Sequence, residues 1–530
     1  MPTPVLLADL LAQSTERWPH ATALRIDGAS IAYAAVQEAV SAHAAGLLAL
    51  GVERADRVAI WLDKSPEMVV ACFGAAAAGG AFVPINPVLK PQQVVHVLVD
   101  SGARVLVTSA QRLTLLAPCL AACGALRHVV LTDALPPAAE PDVAGLSFHS
   151  WQALASAVAR PAHRVIDSDM AAILYTSGST GLSKGVVVSH RNLVAGAVSV
   201  ASYLGNHTGD TVLAALPLSF DAGFSQLTTA FYSGARVVLL NYLLPRDVLR
   251  AMASERVTGI TAVPPLYIQL ASLDWPPEIG ESLRYFANTG GHMPRETLAM
   301  LRRRVPQARP FLMYGLTEAF RSTYLPPDEV DRKPDSMGKA IPNAEILVLR
   351  EDGSPCAPDE PGELVHRGAL VSMGYWNDPE RTAERFRALP AMASGLPLPE
   401  TAVFSGDTVR MDSEGFLYFV GRRDEMIKCS GYRISPTEVE ELLYATGLVG
   451  ECAAFGVAHP TLGQVVHVVV TPASGAGLDV AQLLAICRAR MPAYMVPAHV
   501  DVRPAPLPRN PNGKIDRKLL AARPEPSHGH

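Results

Sequence analysis

The sequence contains no cysteine pair at the C-x-x-C spacing, no run of lysines and arginines longer than the three arginines at 302–304, and no long uninterrupted apolar stretch. Its seven scattered cysteines predict reduced thiols in a cytoplasmic protein, without a cysteine metal site or a disulfide framework. A net charge of −5 without a basic stripe argues against nucleic-acid binding. The most apolar stretch, residues 68–84, is interrupted by two glycines and is shorter than the ~20 residues of a spanning helix, so we expect no membrane span.

The length of 530 residues exceeds what one ordinary hydrophobic core can organise, so at least two domains are expected. Apolar residues make up 49% of the chain, which is enough for large buried sheets. Helical and strand-like patterns alternate through residues 1–165, with a helix predicted at 36–50 and a strand at 57–61, as is typical of α/β layers with parallel sheets. Near the C-terminus, strands around 453–457 and 465–470 with helices at 434–446 and 480–490 predict a compact α+β domain. Ser435 is an N-cap-type residue at the start of the first of these helices.

The segment Tyr175–Gly185 carries the strongest functional signal. Short apolar runs flank it and predict two buried strands. Between the strands lie three glycines, five serine or threonine hydroxyls and Lys184. Glycines let the backbone approach a ligand, hydroxyls and N–H groups donate to oxygens, and the lysine adds positive charge, so the segment predicts a triphosphate cradle. The alternative is a flexible linker.

This cradle does not follow the Walker pattern, because its lysine comes three residues after Gly181 and is followed by a strand instead of a helix. The candidate ATP-binding residues in it are Thr176, Ser177, Gly178, Ser179, Thr180, Gly181 and Lys184.

An aspartate, Asp221, stands inside the apolar segment Leu216–Phe224. A buried carboxylate is costly unless it is paired. One interpretation is that Asp221 caps the N-terminus of the helix predicted after it. The other is that it is held for a cationic group on a ligand.

Four more motifs follow along the chain, each combining a turn with a charged or polar group. They are Tyr314-Gly-Leu-Thr-Glu318, Ser405-Gly-Asp407, Gly421-Arg-Arg-Asp424 and Gly513-Lys514. Each has an ordinary alternative as a turn or a solvated charge. In this order, and after the glycine-rich loop, they resemble the adenylate-forming (AMP-dependent synthetase/ligase) superfamily over nearly the whole chain. Two groups are most similar: AMP-forming acyl-CoA ligase-like proteins associated with exosortase systems, and stand-alone ligases that load proline or another amino acid onto a carrier protein.

The resemblance implies an α/β fold in two domains. Residues 1–423 would form a large N-terminal AMP-binding domain of layered parallel sheets and helices, with a β-rich subdomain. Residues 424–530 would form a small, mobile α+β domain that carries the catalytic lysine and turns about a hinge at Asp424.

The resemblance also implies the roles of the nucleotide site. Lys514, Thr317 and Glu318 would be catalytic, and Glu318 would bind Mg²⁺, for which a hard oxygen ligand is suited. Gly290 and Gly291 would lie against adenine. The remaining ATP-binding candidates are Tyr314 for the nucleobase, and Asp407 and Arg422 for the ribose.

The implied substrate pocket contains Phe220, Asp221, Ser225, Met313, Arg321 and Ser322. In the peptide-synthetase members, an aspartate at the place of Asp221 pairs with the substrate's α-amino group. Arg321 has two interpretations: it could meet a second carboxylate on the substrate, or form a structural ion pair with Asp221 or Glu318. Tyr375 and Trp376 are interpreted as packing residues.

The implied reaction is ATP-dependent activation of a carboxylic acid, with an amino acid among the candidates. The acyl-adenylate would pass to the phosphopantetheine of a separate carrier protein through a channel lined by Gly431. The alternative is an AMP-forming acyl-CoA ligase that uses CoA and a plain acid.

Overall fold

The computed structural model describes residues 3–134, 143–156, 161–176, 183–389, 399–422, 425–429, 432–459, 462–473, 477–504, 506–510 and 513–522. Across these ranges the strands form four sheets, two large and two small. None of the helices in these ranges is long and apolar enough to cross a membrane.

The first large sheet has nine strands, of which the six in the middle are parallel and the outer ones antiparallel. In spatial order its strands are Lys339–Ala340, Phe320–Leu325, Arg309–Leu316, Tyr285–Asn288, Gly259–Ala262, Thr211–Ala214, Arg236–Leu239, Thr22–Ile26 and Ala29–Ala32. Short, fully buried runs such as 259–262 match the pattern of parallel strands covered on both faces.

The second large sheet has seven strands, six parallel and one antiparallel at an edge. Its strands in spatial order are Ser147–Ser150, His128–Leu131, Val105–Thr108, Arg57–Trp61, Ala81–Pro84, Met170–Thr176 and Lys184–Ser189. The last two strands flank the glycine-rich loop, as its apolar borders predict.

The two smaller sheets follow in the chain. The first corresponds to the predicted β-rich subdomain and contains Ala344–Leu349, Gly362–Gly368, Thr401–Met411, Phe386–Ala388 and Leu417–Arg422. The second lies near the C-terminus and contains Tyr432–Ile434, Ile427–Cys429, Gly463–Pro472, Val449–His459 and His499–Val502. It has its own hydrophobic core, which includes Val439, Val468 and Leu483.

Helices cover the sheets. Over the described ranges the α-helices are Leu7–Arg17, Tyr33–Ala49, Pro66–Ala78, Pro91–Ser101, Ala110–Leu116, Trp151–Ala155, His190–Leu204, Asp221–Ser233, Pro245–Ser254, Pro264–Ala271, Pro277–Ser282, Arg295–Arg304, Pro379–Arg385, Pro436–Tyr444, Val480–Arg490 and Arg517–Ala521. Short 3₁₀ helices span Ala117–Ala122, Pro327–Glu329 and Ala493–Met495. The largest apolar core joins residues of both large sheets, such as Val58 and Val237, with Phe224 of the helix between them.

The structure agrees with the sequence prediction at many elements. The strand Arg57–Trp61 and the helix Val480–Arg490 have the predicted bounds. Ser435 caps the helix Pro436–Tyr444, since its side chain accepts a hydrogen bond from Glu438 N at 3.4 Å. The helix predicted at 36–50 begins earlier, at Tyr33. The predicted α/β architecture, with a β-rich subdomain and a smaller C-terminal part, is confirmed.

Candidate functional site

A tight hairpin places the Tyr-Gly-Leu-Thr-Glu motif. The strand Arg309–Leu316 turns through Thr317 and Glu318 and returns as Phe320–Leu325. A Cβ at Gly315 would lie 2.2 Å from the Phe320 carbonyl oxygen, so only glycine allows the two strands to approach this closely. Phe320 itself has a φ of 58°, a left-handed conformation that is costly for a bulky residue.

Lys184 and Glu318 meet beside the glycine-rich loop. The Lys184 ammonium donates a hydrogen bond to Glu318 Oε1 at 3.0 Å. The Tyr375 hydroxyl lies 2.7 Å from the same ammonium and donates to Glu318 Oε1 at 2.5 Å. Burial would raise the pKa of the Glu318 carboxyl, but the charge of Lys184 and these hydrogen bonds hold that pKa below its ordinary value. Glu318 is therefore a partly buried carboxylate whose surroundings favour the ionised form.

Tyr375 reaches this cluster through strand pairing. Residues 373–376 run antiparallel to the edge strand Lys184–Ser189, with Trp376 N donating to Gly185 O at 2.8 Å. The interpretation of Tyr375 as a packing residue is confirmed for its ring, which belongs to the largest apolar core, but its hydroxyl also contacts two of the candidate site residues. Trp376 does pack as predicted: its ring lies 5.3 Å from the Arg57 guanidinium and its Nε1 donates to Asp100 O at 2.8 Å.

Tyr314, Asp407 and Arg422 form a second polar cluster. The Tyr314 hydroxyl donates a hydrogen bond to Asp407 Oδ2, and Arg422 Nε donates to Asp407 Oδ1 at 2.7 Å. The Asp407 backbone N–H donates to Ser405 Oγ at 3.1 Å, which fixes the Ser-Gly-Asp turn. The negative charge of Asp407 raises the pKa of Arg422. The structure thus brings together the residues that the resemblance assigns to the nucleobase and the ribose.

Lys514 extends from the C-terminal part of the chain to the glycine turn after the strand Tyr285–Asn288. Gly290 adopts a φ of 77°, and a Cβ there would lie 3.3 Å from Lys514 Cε and 4.0 Å from its Nζ. Part of the Lys514 side chain remains exposed, but loss of water around its ammonium and the positive charge of Arg422 lower its pKa. The carboxylates of Asp221 and Asp407 oppose this shift.

Asp221 and Arg321 form a buried ion pair. Arg321 Nη1 lies 3.6 Å from Asp221 Oδ2, and the two side chains are 3% and 6% exposed. This is one of the two ion pairs considered for Arg321 from the sequence. Asp221 is the first residue of its helix and Phe220 occupies the N-cap position. The interpretation of Asp221 as the N-cap is therefore wrong, although its charge still suits the helix N-terminus.

A small cavity of about 20 Å³ adjoins this pair, which is room for about one water molecule. Its lining includes three of the predicted residues, Asp221, Ser225 and Thr317. Sequence reasoning missed the other lining residues, which are Leu174, Val188, Asn192, Leu193, Phe224, Thr228, Phe320, Leu370 and Ser372.

Four predicted pocket residues do not line the cavity: Arg321, which pairs with Asp221, and Met313, Ser322 and Phe220. Met313 lies in an apolar cluster and its sulfur accepts a hydrogen bond from the Tyr203 hydroxyl at 2.9 Å. Ser322 is fully buried, with its hydroxyl 2.9 Å from His366 Nδ1. Phe220 packs against the core of the nine-stranded sheet. Their side chains are held by the surrounding fold.

Several predicted residues lie outside the described ranges. They are Ser177, Gly178, Ser179, Thr180 and Gly181 of the loop, the hinge candidate Asp424 and the channel candidate Gly431. Their roles stay predictions. Thr176, at the end of its strand, and Gly291, whose Cβ position would lie 3.3 Å from Pro264 Cγ, are described.

Comparison with known proteins places this arrangement in a family. The sequence model of the AMP-binding enzyme matches residues 11–376, and that of the AMP-binding enzyme C-terminal domain matches residues 438–514. The chain belongs to the AMP-binding enzyme family. This confirms the resemblance predicted from the motifs and, with it, the class of enzyme, an acid–thiol ligase of the adenylate-forming type.

Individual relatives include both kinds of ligase. A feruloyl-CoA synthase of Amycolatopsis is 33% identical over 501 residues and 94% of each chain. The L-proline–[L-prolyl-carrier protein] ligase of Pseudomonas fluorescens is 31% identical over 531 residues, 98% of this chain and 99% of the relative. A linear gramicidin synthase of Brevibacillus parabrevis is 32% identical over 98% of this chain, but this chain spans only 6% of that relative's length.

Solved structures share the whole architecture. ATP-bound MatB from Rhodopseudomonas palustris superimposes with a TM-score of 0.84 at 26% identity, covering 97% of this chain and 98% of MatB. The O-succinylbenzoate coenzyme A synthetase of Bacillus subtilis, in complex with ATP and magnesium, gives a TM-score of 0.80 at 28% identity and covers 96% of this chain and 98% of that one. Nucleotide-bound relatives therefore share this fold from end to end.

Proposed function

We propose that the chain activates a carboxylic acid with ATP and then transfers the acyl group to a phosphopantetheine thiol. The observation that carries the proposal is the position of Lys514. Its ammonium lies against the Gly290 turn, within electrostatic range of Asp221 and Asp407. Glu318 contacts Lys184, and both Glu318 and Lys514 act electrostatically on Asp221, so a phosphate-loop lysine, a glutamate and a lysine from the C-terminal part of the chain lie near one another. These are charges that nucleotidyl transfer requires.

In the first half-reaction, an oxygen of the substrate carboxylate attacks the α-phosphorus of ATP. The bond from that phosphorus to the bridging oxygen breaks, and pyrophosphate leaves. Lys184 and Lys514 offer positive charge to the phosphates, and the Thr317 hydroxyl donates to the α-phosphate. Tyr314, Asp407 and Arg422 hold the nucleoside, with Asp407 accepting from the ribose hydroxyls.

Glu318 is the proposed ligand of Mg²⁺. Its two described hydrogen bonds both reach Oε1. Mg²⁺ is commonly held by one or two carboxylates together with substrate phosphates, which a single ionised Glu318 beside a triphosphate fits. The metal would neutralise phosphate charge there. Among the described residues no group of three or more histidine, cysteine, aspartate or glutamate side chains could hold a metal by itself, so the phosphates would complete the site.

In the second half-reaction, a thiolate sulfur attacks the acyl carbon of the adenylate, forming the thioester and releasing AMP, while the thiol proton goes to solvent. We propose that residues 424–530 turn about Asp424 to withdraw Lys514, and that Gly431 lines the thiol channel. Such a step lets one cleft serve two reactions.

The proposed acceptor is the phosphopantetheine of a separate carrier protein, and the second candidate is CoA. The prolyl-carrier protein ligase supports the first, and the feruloyl-CoA synthase supports the second. The second candidate also gains from the contact of Asp221 with Arg321, because that contact weakens the case for an amino acid substrate. We also propose a cytoplasmic location, which is supported by the structure pairing none of the seven cysteines in a disulfide.

The test follows the fate of ATP with a panel of acids, in the presence and absence of CoA. Acid-dependent formation of AMP and pyrophosphate is expected. If CoA raises the rate of AMP formation and an acyl-CoA accumulates, CoA is the acceptor. If AMP forms only slowly with CoA and acyl-adenylate stays bound, the carrier-protein acceptor is favoured. ADP as the product, or no nucleotide turnover with any acid, would contradict the proposal.

A further inference from the structure

The ion pair between Asp221 and Arg321 bears on which acids the pocket can accept. The inference drawn from it rests on the proposed function, since it concerns the acid that the site would activate. The expectation from the sequence is that Asp221 could pair with the ammonium group of an amino acid. In the structure Asp221 already faces a cation of the protein itself.

The pair is sealed from solvent. Counted as whole residues, with their backbone included, Arg321 is 2% exposed and Asp221 is 7% exposed. Arg321 also lies on the ring of Phe320, with its guanidinium carbon 5.1 Å from the ring centre. Phe320 in turn is fixed by the strained turn and packs on Gly196, where a Cβ would come within 2.7 Å of the ring. Arg321 is therefore held in place by its own strand and its neighbour, and it cannot swing away at low cost.

The charges around Asp221 do not favour an added cation. The ionisable groups that face it are Arg321, Lys514 and Glu318. Two of these three are cationic, and Lys514 is committed to the phosphates in the proposed reaction. Burial raises the pKa of the Asp221 carboxyl, and the positive charge of Arg321 is the main influence that opposes the rise. Whether Asp221 is ionised and paired or protonated, it offers little net negative charge to an ammonium group.

The cavity that Asp221 lines is small and mostly apolar. Its other lining residues include Leu193, Phe224 and Leu370. An ammonium group there would lose its hydration and meet a carboxylate already neutralised by Arg321. An uncharged tail meets no such cost.

We propose that Arg321 is a specificity-determining residue. Its positive charge pairs with Asp221, where the ammonium group of an amino acid substrate would otherwise pair. The pocket therefore selects a small plain carboxylic acid over the corresponding α-amino acid. Arg321 acts through Asp221, which forms the wall of the cavity.

The experiment compares matched acids that differ only in the α-amino group: propionate with alanine, butyrate with 2-aminobutyrate, and 3-phenylpropionate with phenylalanine. ATP–pyrophosphate exchange gives kcat/KM for each, and the readout is the ratio of plain to amino acid. For the wild type we expect a ratio of at least about 100 in the best pair, since apposing like charges is strongly unfavourable. Arg321→Met should lower this ratio at least about tenfold, because Asp221 then becomes available to an ammonium.

Arg321→Met leaves a buried carboxylate without its partner and could lower stability, so two further variants accompany it. The double variant Asp221→Asn/Arg321→Met removes both charges. Its ratio of plain to amino acid should be higher than that of Arg321→Met alone. Arg284→Met removes the partner of another buried carboxylate, since Arg284 Nη2 lies 2.6 Å from Asp210. It should change thermal stability and leave the ratio unchanged.

Three outcomes decide between the ideas. A wild-type preference for plain acids that shifts only in Arg321→Met supports the inference. Strong exchange with an amino acid, abolished by Asp221→Asn, overturns it and leaves the proposed function standing. Absence of exchange with every acid, in an enzyme with a normal melting transition, overturns the proposed function and this inference together.

Discussion

The Tyr375 hydroxyl lies 2.7 Å from the Lys184 ammonium, across 191 residues of chain. The contact exists because residues 373–376 pair with the edge strand that begins at Lys184. Tyr375 therefore fixes the lysine that follows the glycine-rich loop and, through a second hydrogen bond, the proposed magnesium ligand Glu318.

Tyr375→Phe removes only this hydroxyl. Hydrogen bonds to charged groups contribute about 1.5–3 kcal/mol, so we expect the rate of acid-dependent exchange to fall about 10- to 100-fold. The apparent affinity for Mg²⁺ should weaken as well. The matched control is Tyr418→Phe. It removes a hydroxyl that lies outside the site and donates a 3.0 Å hydrogen bond to Asp412, so it should keep the wild-type rate. Equal rates for Tyr375→Phe and the control would contradict the role of Tyr375.

Gly290 tests the placement of Lys514. An alanine there would carry a Cβ 3.3 Å from Lys514 Cε, at a φ of 77°. Gly290→Ala should therefore displace the lysine and lower the rate of exchange more than about tenfold. The strained backbone should also lower the stability of the variant by about 1–3 kcal/mol. Gly447 has a similar φ of 70° with nothing within 4 Å of its Cβ position. Gly447→Ala should therefore lose stability in a thermal melt without losing exchange. Similar exchange rates in the two variants would show that Lys514 does not act at this turn.

Arg509 and Glu451 are proposed to position the catalytic lysine. Arg509 Nη1 donates to Gly513 O at 2.9 Å, its Nη2 donates to Glu451, and Glu451 also accepts from Leu507 N at 2.7 Å. Arg509→Met should lower kcat for exchange about tenfold with little change in the KM for ATP, because the loop keeps its binding partners but loses its fixed orientation. Arg503→Met, which breaks a pair with Asp501 at 3.0 Å in the same sheet region, is the control. A rise in KM alone would contradict a positioning role.

The pH dependence of exchange reports on Lys514. Its pKa lies below the ordinary lysine value, since loss of hydration and Arg422 both disfavour the charged form. The ammonium is the active form, so exchange should fall as the pH rises through this lowered pKa, at a lower pH than that at which an ordinary lysine would titrate. Lys514→Arg should abolish this alkaline decline, because a guanidinium stays protonated. A decline that persists in Lys514→Arg would assign it to another group.

The sequence predicted elements whose signal is local. The apolar runs around the glycine-rich loop are strands, and the helix with Ser435 at its start is capped as expected. The resemblance assigned Tyr314 to the nucleobase and Asp407 and Arg422 to the ribose, and the structure brings these three side chains together.

Features that depend on distant pairing were not predictable in this way. The contact of Tyr375 with Lys184 can be predicted only if two segments far apart in the sequence are known to be hydrogen-bonded to each other. The resemblance implied that Met313 and Ser322 line the substrate pocket, but Met313 lies in an apolar cluster and Ser322 contacts His366.

The most direct test of the account is acid-dependent ATP–pyrophosphate exchange in the wild type, Lys514→Ala and Lys518→Ala. Lys518 is a second lysine on the adjoining helix and serves as the matched control. The account predicts exchange that requires an added acid, falls by a factor of about 100 or more in Lys514→Ala, and persists in Lys518→Ala. Exchange that needs no acid, or that survives Lys514→Ala unchanged, would contradict it.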